Sequence, residues 1–301
     1  MLDYSALRVL LAVVQSGSFE KAASSLNVTP SAVSQRIKQL EERFGTALVV
    51  RGNPCIATEK GDQLCTHMEN VGILEHELFT SFPALADNDD LHQRYTLRVA
   101  TNADSLGTWF LEAVSEFSKS SSFLFEISVD DQDYTAEWLA QGKVIAAVSG
   151  SHKPIAGCRR YSLGVLRYHA TASPAFVATY FPDGVTPEAL AHAPTLTFNQ
   201  KDQLQSEWVR RTLQADVRLP THWLPSTQSF VDATIMGMAW GMNPHHLVQN
   251  HLSAGRLVEL IPGITLDIPL YWHINRFASD RLATLTAKIV EVAEQTLHQA
   301  E

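Results

Sequence analysis

The dipeptide Thr29-Pro30 restricts the fold of this chain more than any other local feature. A threonine hydroxyl followed by proline suits the N-cap and first position of a helix and is costly inside one, so a helix starts here and its predecessor stops earlier. Upstream, Leu7, Leu10, Leu11 and Val14 recur at three- and four-residue steps between Tyr4 and Ser16, the mark of a helix with one buried face. Gly17 ends that helix. Ser18 caps a second, whose Phe19, Ala22, Ala23 and Leu26 keep the helical period, and the small alanines let helices approach closely. Asn27-Val28 then turns the chain into the helix that Thr29 begins.

The third helix, Ser31 to Phe44, sorts by face: Val33, Ile37, Leu40 and Phe44 are expected inward, while Ser31, Ser34, Gln35 and Lys38 share the opposite side. Hydroxyls, an amide and a cation suit the base edges and phosphates of a DNA major groove. Gln pairs bidentately with adenine and Lys reaches guanine or phosphate; a merely solvated face is the competing reading. Gly45 closes the helix, Leu48-Val49-Val50-Arg51 reads as a strand, Asn53-Pro54 as a turn and Cys55 to Thr58 as a return strand. The product is a two-stranded wing, with Arg51 near its tip in reach of phosphate or the minor groove. Thr58 and Gly61 open a long helix carrying Leu64, Met68, Val71, Leu74 and Leu78 at heptad-like steps. Such a stripe on an isolated helix seeks a partner, and because Pro83 to Gln93 reads as a linker, self-association is expected over packing within its own domain. A dimer would set two recognition helices about 34 Å apart or a multiple of that, matching an inverted-repeat operator.

Net charge −9 argues against a nucleic-acid partner until its distribution is examined. Residues 1–65 hold seven Lys/Arg against six Asp/Glu, net +1, and the remainder holds sixteen against twenty-six, net −10. The acidic bulk therefore cannot be the DNA-contacting part. No apolar run reaches the roughly 18 residues of a membrane span and Met1-Leu2-Asp3-Tyr4 lacks a basic leader, so no membrane partner and a cytoplasmic location are expected. Cys55, Cys65 and Cys158 have no metal-ligand spacing and read as ordinary thiols.

Beyond the linker, Tyr95 to Ala100 alternates as a strand and Asn102-Ala103-Asp104-Ser105 caps a helix running to about Ser118. Phe123 to Val129, Thr135 to Gln141 and Val144 to Val148 continue as strand, helix, strand, and βα units follow from Tyr168 to Pro262. Ile268 to Ile274 is a last strand that rejoins the first subdomain, and Ser279 to His298 a closing helix. This pattern predicts an α/β effector domain of two Rossmann-like lobes with mostly parallel sheets, resembling periplasmic binding proteins. The expected organisation is a winged helix-turn-helix over 1–60, a dimerisation helix and hinge over 61–92, and an effector domain over 93–301. Its lobe I would comprise 93–167 and 268–301, and lobe II 168–267. Ligands of such folds sit at the carboxyl ends of strands. The candidate cleft is thus Asn102, Asp104, Ser105, Asp130, Asp131 and Ser149, with Thr171 and Ser173 near the first crossover, completed by Phe198 to Asp202 and Ser226 to Ser229. Individually each of these more often caps a helix or forms a turn. Hydroxyls and helix N-termini hold a carboxylate while the aspartates hold cations, and a basic amino acid fits both.

Phe19-Glu20-Lys21-Ala22-Ala23, Val28 through Glu41, Phe44-Gly45 and Leu48-Val49-Val50-Arg51 together resemble the signature of the LysR-type transcriptional regulators. Asn102 to Leu106, Thr108-Trp109, Ala147-Val148-Ser149, Tyr180 to Val185 and Leu270-Tyr271-Trp272-His273 resemble the arginine- and lysine-sensing ArgP/LysG subgroup. The resemblance implies a homodimer or homotetramer that binds double-stranded operator DNA and RNA polymerase. It also implies control of amino-acid export or biosynthesis genes by a basic amino acid. Two departures stand out: Lys201, which would repel a basic ligand if it faced the cleft, and the bulky run Gly237 to Met242. An effector-independent architectural or replication-inhibiting DNA-binding protein is the alternative. An enzyme is not expected, because a phosphate loop, a nucleophile elbow and HExxH are all missing. His245, His246 and His251 do not share one helical face, so neither a metal nor a cofactor is expected.

Overall fold

The computed structural model describes residues 2–85, 95–129 and 135–299. The chain forms two compact units: one is residues 1–98 with 122–126 and 141–145, the other 99–121, 127–140 and 146–301.

The first unit begins with α1 (Tyr4–Ser16), α2 (Phe19–Ser25) and α3 (Pro30–Phe44), each started by the side chain that the sequence offers for it. Asp3 accepts from the Ala6 N–H, Ser18 from Glu20 and Lys21, and Thr29 from Ala32, with Pro30 in the first turn of α3. Leu7, Leu10, Val13, Ala22, Val33, Ile37 and Leu40 form one core. Cutting Ile37 to Ala there would cost about 2–5 kcal/mol. The wing is short, β1 (Val49–Val50) paired antiparallel with β2 (Ile56–Ala57). Phe44, expected inward, is 40% exposed, since it is the last residue of its helix and lies beyond the reach of that core.

The long helix α4 (Glu59–Ser81) corrects the stripe assigned to self-association. Met68 is buried in the first unit's own core and Leu64 packs against it, so the N-terminal half of α4 belongs to that domain. Gly61 permits this: a Cβ there would collide with the Leu48 carbonyl oxygen. Only Leu74 and Leu78, 39% and 45% exposed, remain as a free apolar edge, with Val71 half-buried between the two halves. On the same helix Asp62, Thr66 and Glu69 converge on Arg98, at 3.0, 2.6 and 2.8 Å.

The second unit is built on a sheet of strand order β10-β6-β11-β5-β3-β4, with β9 also paired to β6. The strands are β3 (Thr96–Thr101), β4 (Leu124–Val129), β5 (Ala146–Ser149), β6 (Cys158–Ala172), β9 (Gly241–Pro244), β10 (Val258–Glu259) and β11 (Thr265–Asn275). β3 and β5 are parallel, but β11 runs antiparallel to both β5 and β6, and β6 antiparallel to β9 and β10. The sheet is therefore mixed, not mostly parallel, because the two long strands β6 and β11 pass from one lobe to the other side by side. A smaller pair, β7 (Thr195–Thr197) and β8 (Thr221–Trp223), is parallel and forms a separate sheet. β6 is the element that the sequence reading missed; its start, Cys158 to Leu163, has no regular alternation to announce it. Between β3 and α6 (Leu111–Ser118) the helix passes through α5 (Ala103–Ser105) and a π-helical turn, Leu106–Phe110. The core beneath it stacks Trp109, Phe110 and Trp272, the last anchored by its Nε1–H to the Thr286 hydroxyl on α14 (Ala283–Thr296).

Candidate DNA interface and effector cleft

On α3 the outer face is as the sequence orders it: Ser31, Gln35 and Lys38 are exposed and Ser34 is half-buried. Thr29 is committed to the N-cap and its hydroxyl also meets that of Ser31, at 3.0 Å, so Thr29 and Pro30 fix where the helix begins. Lys38 has only a loose i,i+4 partner in Glu42, at 3.7 Å, which leaves its ammonium free to move to a phosphate. Arg51 lies over the Phe19 ring, 5.1 Å from its centroid, so the wing cation is steadied by α2.

In the second unit, α5 aims Asp104 between two hydroxyls. Tyr168 on β6 donates to one carboxylate oxygen at 2.7 Å, and Thr227, the first residue of α11 (Thr227–Ile235), donates to the other at 2.7 Å. Burial pushes the Asp104 carboxyl above its ordinary value despite these two bonds, and nearby Asp202 adds to the rise. Asp202 is also pushed up by burial, although Phe198 N–H and Leu204 N–H both donate to it, at 2.9 and 3.0 Å. Asp104, Phe198, Asp202, Thr227 and Phe230 enclose a cavity of about 20 Å³. Two desolvated carboxylates beside one cavity favour a cation there.

The other expected cleft residues divide. Ser105 is buried on the same turn as Asp104, with its hydroxyl unpartnered among the described residues; Asn102 is buried just before it. Ser149 accepts from the Ser151 N–H and forms a turn. Thr171 accepts from Asn243 in the interior of lobe II, Ser173 caps α8 (Pro174–Tyr180), and Ser226 caps α11. These four hold structure and do not line the cavity. Asp130 and Asp131 lie outside the described residues. Lys201 is exposed and absent from the cavity wall. Thr227 lies in the Ser226–Ser229 stretch expected to complete the cleft, whereas Tyr168, 64 residues from Asp104 in the chain, carries no local signal and was missed. Among the described residues, no group of three or more His, Cys, Asp or Glu is placed to hold a metal, and no helix is long and apolar enough to cross a membrane.

Residues 4–62 match the bacterial regulatory helix-turn-helix proteins of the lysR family, and residues 92–294 match the LysR substrate binding domain. The chain belongs to the LysR family of transcriptional regulators. It is 41% identical over 297 residues to the HTH-type transcriptional regulator ArgP of Pseudomonas fluorescens Pf0-1, covering 99% of each chain. The solved C-terminal domains of a LysR family protein from Agrobacterium tumefaciens C58 are 62% identical, at a TM-score of 0.67, over 68% of this chain and 99% of that one. Full-length LysG from Corynebacterium glutamicum with bound effector Arg is 33% identical, at a TM-score of 0.68, over 99% of this chain and 100% of that one. The two matched segments give this LysR regulator its DNA-binding helix-turn-helix and its effector domain.

Proposed function

We propose that this LysR regulator senses a basic amino acid, and that Asp104 is the carboxylate receiving the cationic end of that effector. The observation that carries this reading is a desolvated carboxylate whose hydrogen-bond donors, among the described residues, are two neutral hydroxyls. A guanidinium or ammonium in the cavity supplies the missing charge. Asp202 adds a second negative charge at the opposite wall, while its backbone bonds keep it in place. The arginine bound in the related LysG is in line with this chemistry.

A 20 Å³ cavity holds about one water, so an amino acid enters only as the lobes part or the lining side chains swing. The Asp104–Thr227 bond is then exchanged for a bond to the ligand, and lobe closure around the effector becomes the signal to the DNA-binding half. Ser31, Ser34, Gln35 and Lys38 carry the operator contacts from α3, with Arg51 on backbone phosphates, and Leu74 and Leu78 contribute to self-association. The chain acts by binding and not by catalysis. Thermal unfolding of the purified protein against arginine, lysine, ornithine and the neutral isostere citrulline tests the effector, because a ligand of the folded state raises the midpoint by mass action. A shift with the cationic amino acids and none with citrulline is expected. Equal shifts with citrulline, or none with any amino acid, would remove the basic effector.

A further inference from the structure

Along β6, where His298 bridges to Val165, lies a second and larger cavity, of about 380 Å³. Its walls include Arg167 of β6, His245, His246 and Gln249 of α12 (His245–Ser253), and Gln295 and His298 at the end of the chain. Among the described residues the wall contains one guanidinium, imidazoles, amides and hydroxyls, and no carboxylate. Opposite sides come from different lobes: α12 follows β9 in lobe II, whereas His298 is bridged by its backbone to Val165 beside α14. His245 and His298 face each other with ring centroids 5.3 Å apart.

Behind His245 runs a chain of hydrogen bonds. Glu259 meets His169 Nδ1 at 2.5 Å, and His169 Nε2 meets His245 Nδ1 at 2.9 Å. A carboxylate fixes a proton on His169 Nδ1, so with one mobile proton absent Nε2 accepts from His245, whose own Nε2 is left as an acceptor. Adding one proton to the pair makes His245 Nε2 a donor. The Glu259–His169–His245 chain can therefore switch the cavity wall from accepting to donating.

We propose that this cavity is a second ligand site, specific for a small oxyanion such as phosphate or a dicarboxylate, which bridges His245 of lobe II and His298 of the C-terminal end and is bound together with a proton. The charged groups around it agree. Arg167 is held by Asp267 through two bonds, at 2.8 and 2.7 Å, so the pair is close to neutral. Glu259 is engaged by His169 and by the Gly263 N–H. His246 adds a further imidazole to the wall. Burial and the neighbouring cations hold both His245 and His298 below the ordinary histidine range, which favours their neutral forms. An oxyanion reverses that balance by giving the imidazolium form a partner.

The test is isothermal titration calorimetry of the full-length protein at fixed ionic strength, with inorganic phosphate and with succinate, at about pH 6 and pH 7.5, values that bracket imidazole titration. Saturable binding is expected, tighter at the lower pH by up to about tenfold per unit, with proton uptake seen as a buffer-dependent enthalpy. Binding of phosphate alone identifies a phosphate-type ligand; binding of both identifies a general oxyanion site. His245→Gln and His298→Gln should each weaken it roughly tenfold or more, the loss of one charge-assisted hydrogen bond. His298→Gln leaves the backbone bridge to Val165 intact and covers the case in which His245→Gln fails to fold. The absence of saturable binding for either anion, an affinity independent of pH, or unchanged affinity in a folded His298→Gln protein would overturn the proposal. Arginine binding is read in the same samples, so failure of the cleft assignment is seen separately from failure of this one.

Discussion

Asp104→Asn separates the two things that a buried carboxylate does. In the empty protein its two oxygens accept hydroxyls from Tyr168 and Thr227, each at 2.7 Å, and its charge is opposed by burial. Asparagine keeps the shape and one acceptor. Its Nδ2 can donate to whichever hydroxyl rotates to accept, so neither group is stranded. Because the folded carboxyl is raised above its unfolded value, it draws stability from the protein as pH climbs through the carboxylate range; the amide removes that loss. The empty variant should therefore melt at or above the wild-type midpoint near pH 7.5. Arginine binding moves the other way. A charge-assisted hydrogen bond contributes about 1.5–3 kcal/mol, and the Coulomb attraction at about 4 Å in a partly buried setting has an upper bound near 4 kcal/mol. A loss of about 2–3 kcal/mol corresponds to a Kd for arginine weaker by about 30- to 150-fold. Citrulline, which has lost the charge but kept the length, should discriminate far less between the two proteins. Calorimetry with both ligands and melting curves without them give the three numbers. If the variant bound arginine as the wild type does and melted several degrees lower, Asp104 would be a structural latch between β6 and α11 and not the effector's partner.

Three other expectations follow from the first unit. Arg98→Met strands Glu69, which burial has already pushed up to about 7 despite its bond to the guanidinium. A raised carboxyl is less unfavourable when protonated, so urea unfolding should show a cost of about 3–5 kcal/mol at pH 8 that shrinks towards pH 5.5; a loss equal at both would contradict the assignment. Gln35→Ala should relax base preference at one position per half-site, at about 1–3 kcal/mol, whereas Arg51→Ala should weaken specific and random DNA alike and lower the salt slope by about one. Fluorescence anisotropy on both DNAs at several salt concentrations reads this, and equal losses for the two variants would reject the division of roles. Leu78→Asp, on the exposed part of α4, should shift the protein towards monomer in sedimentation, while Met68→Ala should lower the melting temperature with little effect on assembly. The reverse pattern would mean that the α4 stripe acts as one partner-facing face.

The N-terminal unit was legible because its instructions are local. Ser18, Thr29, Pro30, Gly17 and Gly45 mark helix ends within a few residues of what they control, and the caps form where those residues stand. α4 was legible as a helix and misread as a single face. A 3.6-residue period tells that one side is apolar and not what covers it, and here the covering changes from the domain's own core at Met68 to solvent at Leu74. In the cleft, Asp104 was within reach of sequence reasoning since it follows a strand at a helix start. The Ser226–Ser229 stretch likewise stands at a helix start, where Ser226 caps α11 and Thr227 carries the contact. Tyr168 could not be found, because β6 reads as a crossover until β11 pairs with it, and that pairing joins residues about a hundred positions apart, such as Arg167 and Asp267.

The ribbon made by β6 and β11 also connects the two cavities. Side chains alternate along a strand, so Tyr168 points to one face of the ribbon while Arg167 and His169 point to the other. Tyr168 binds Asp104 in the cleft, while Arg167 lines the second cavity and His169 bonds to His245 in its wall. Register shifts between Leu270 and Tyr271, where β11 also begins to pair with β5, so the free ribbon runs from Gly164 to His169 against Thr265 to Leu270. Gly164 sits at that joint with φ of 112°, and a Cβ there would lie 2.8 Å from the His298 carbonyl oxygen. Only glycine allows both the backbone angle and the approach of the C-terminal end. A ligand that turns the ribbon from one face must move the groups on the other, and linkage makes the effect reciprocal: whatever factor arginine applies to the affinity for phosphate, phosphate applies to the affinity for arginine. Titrating each ligand in the presence of a saturating concentration of the other measures both factors. An apparent affinity that keeps falling as the other ligand is raised would show that the two compete for one site, and factors of one would mean that the ribbon transmits nothing.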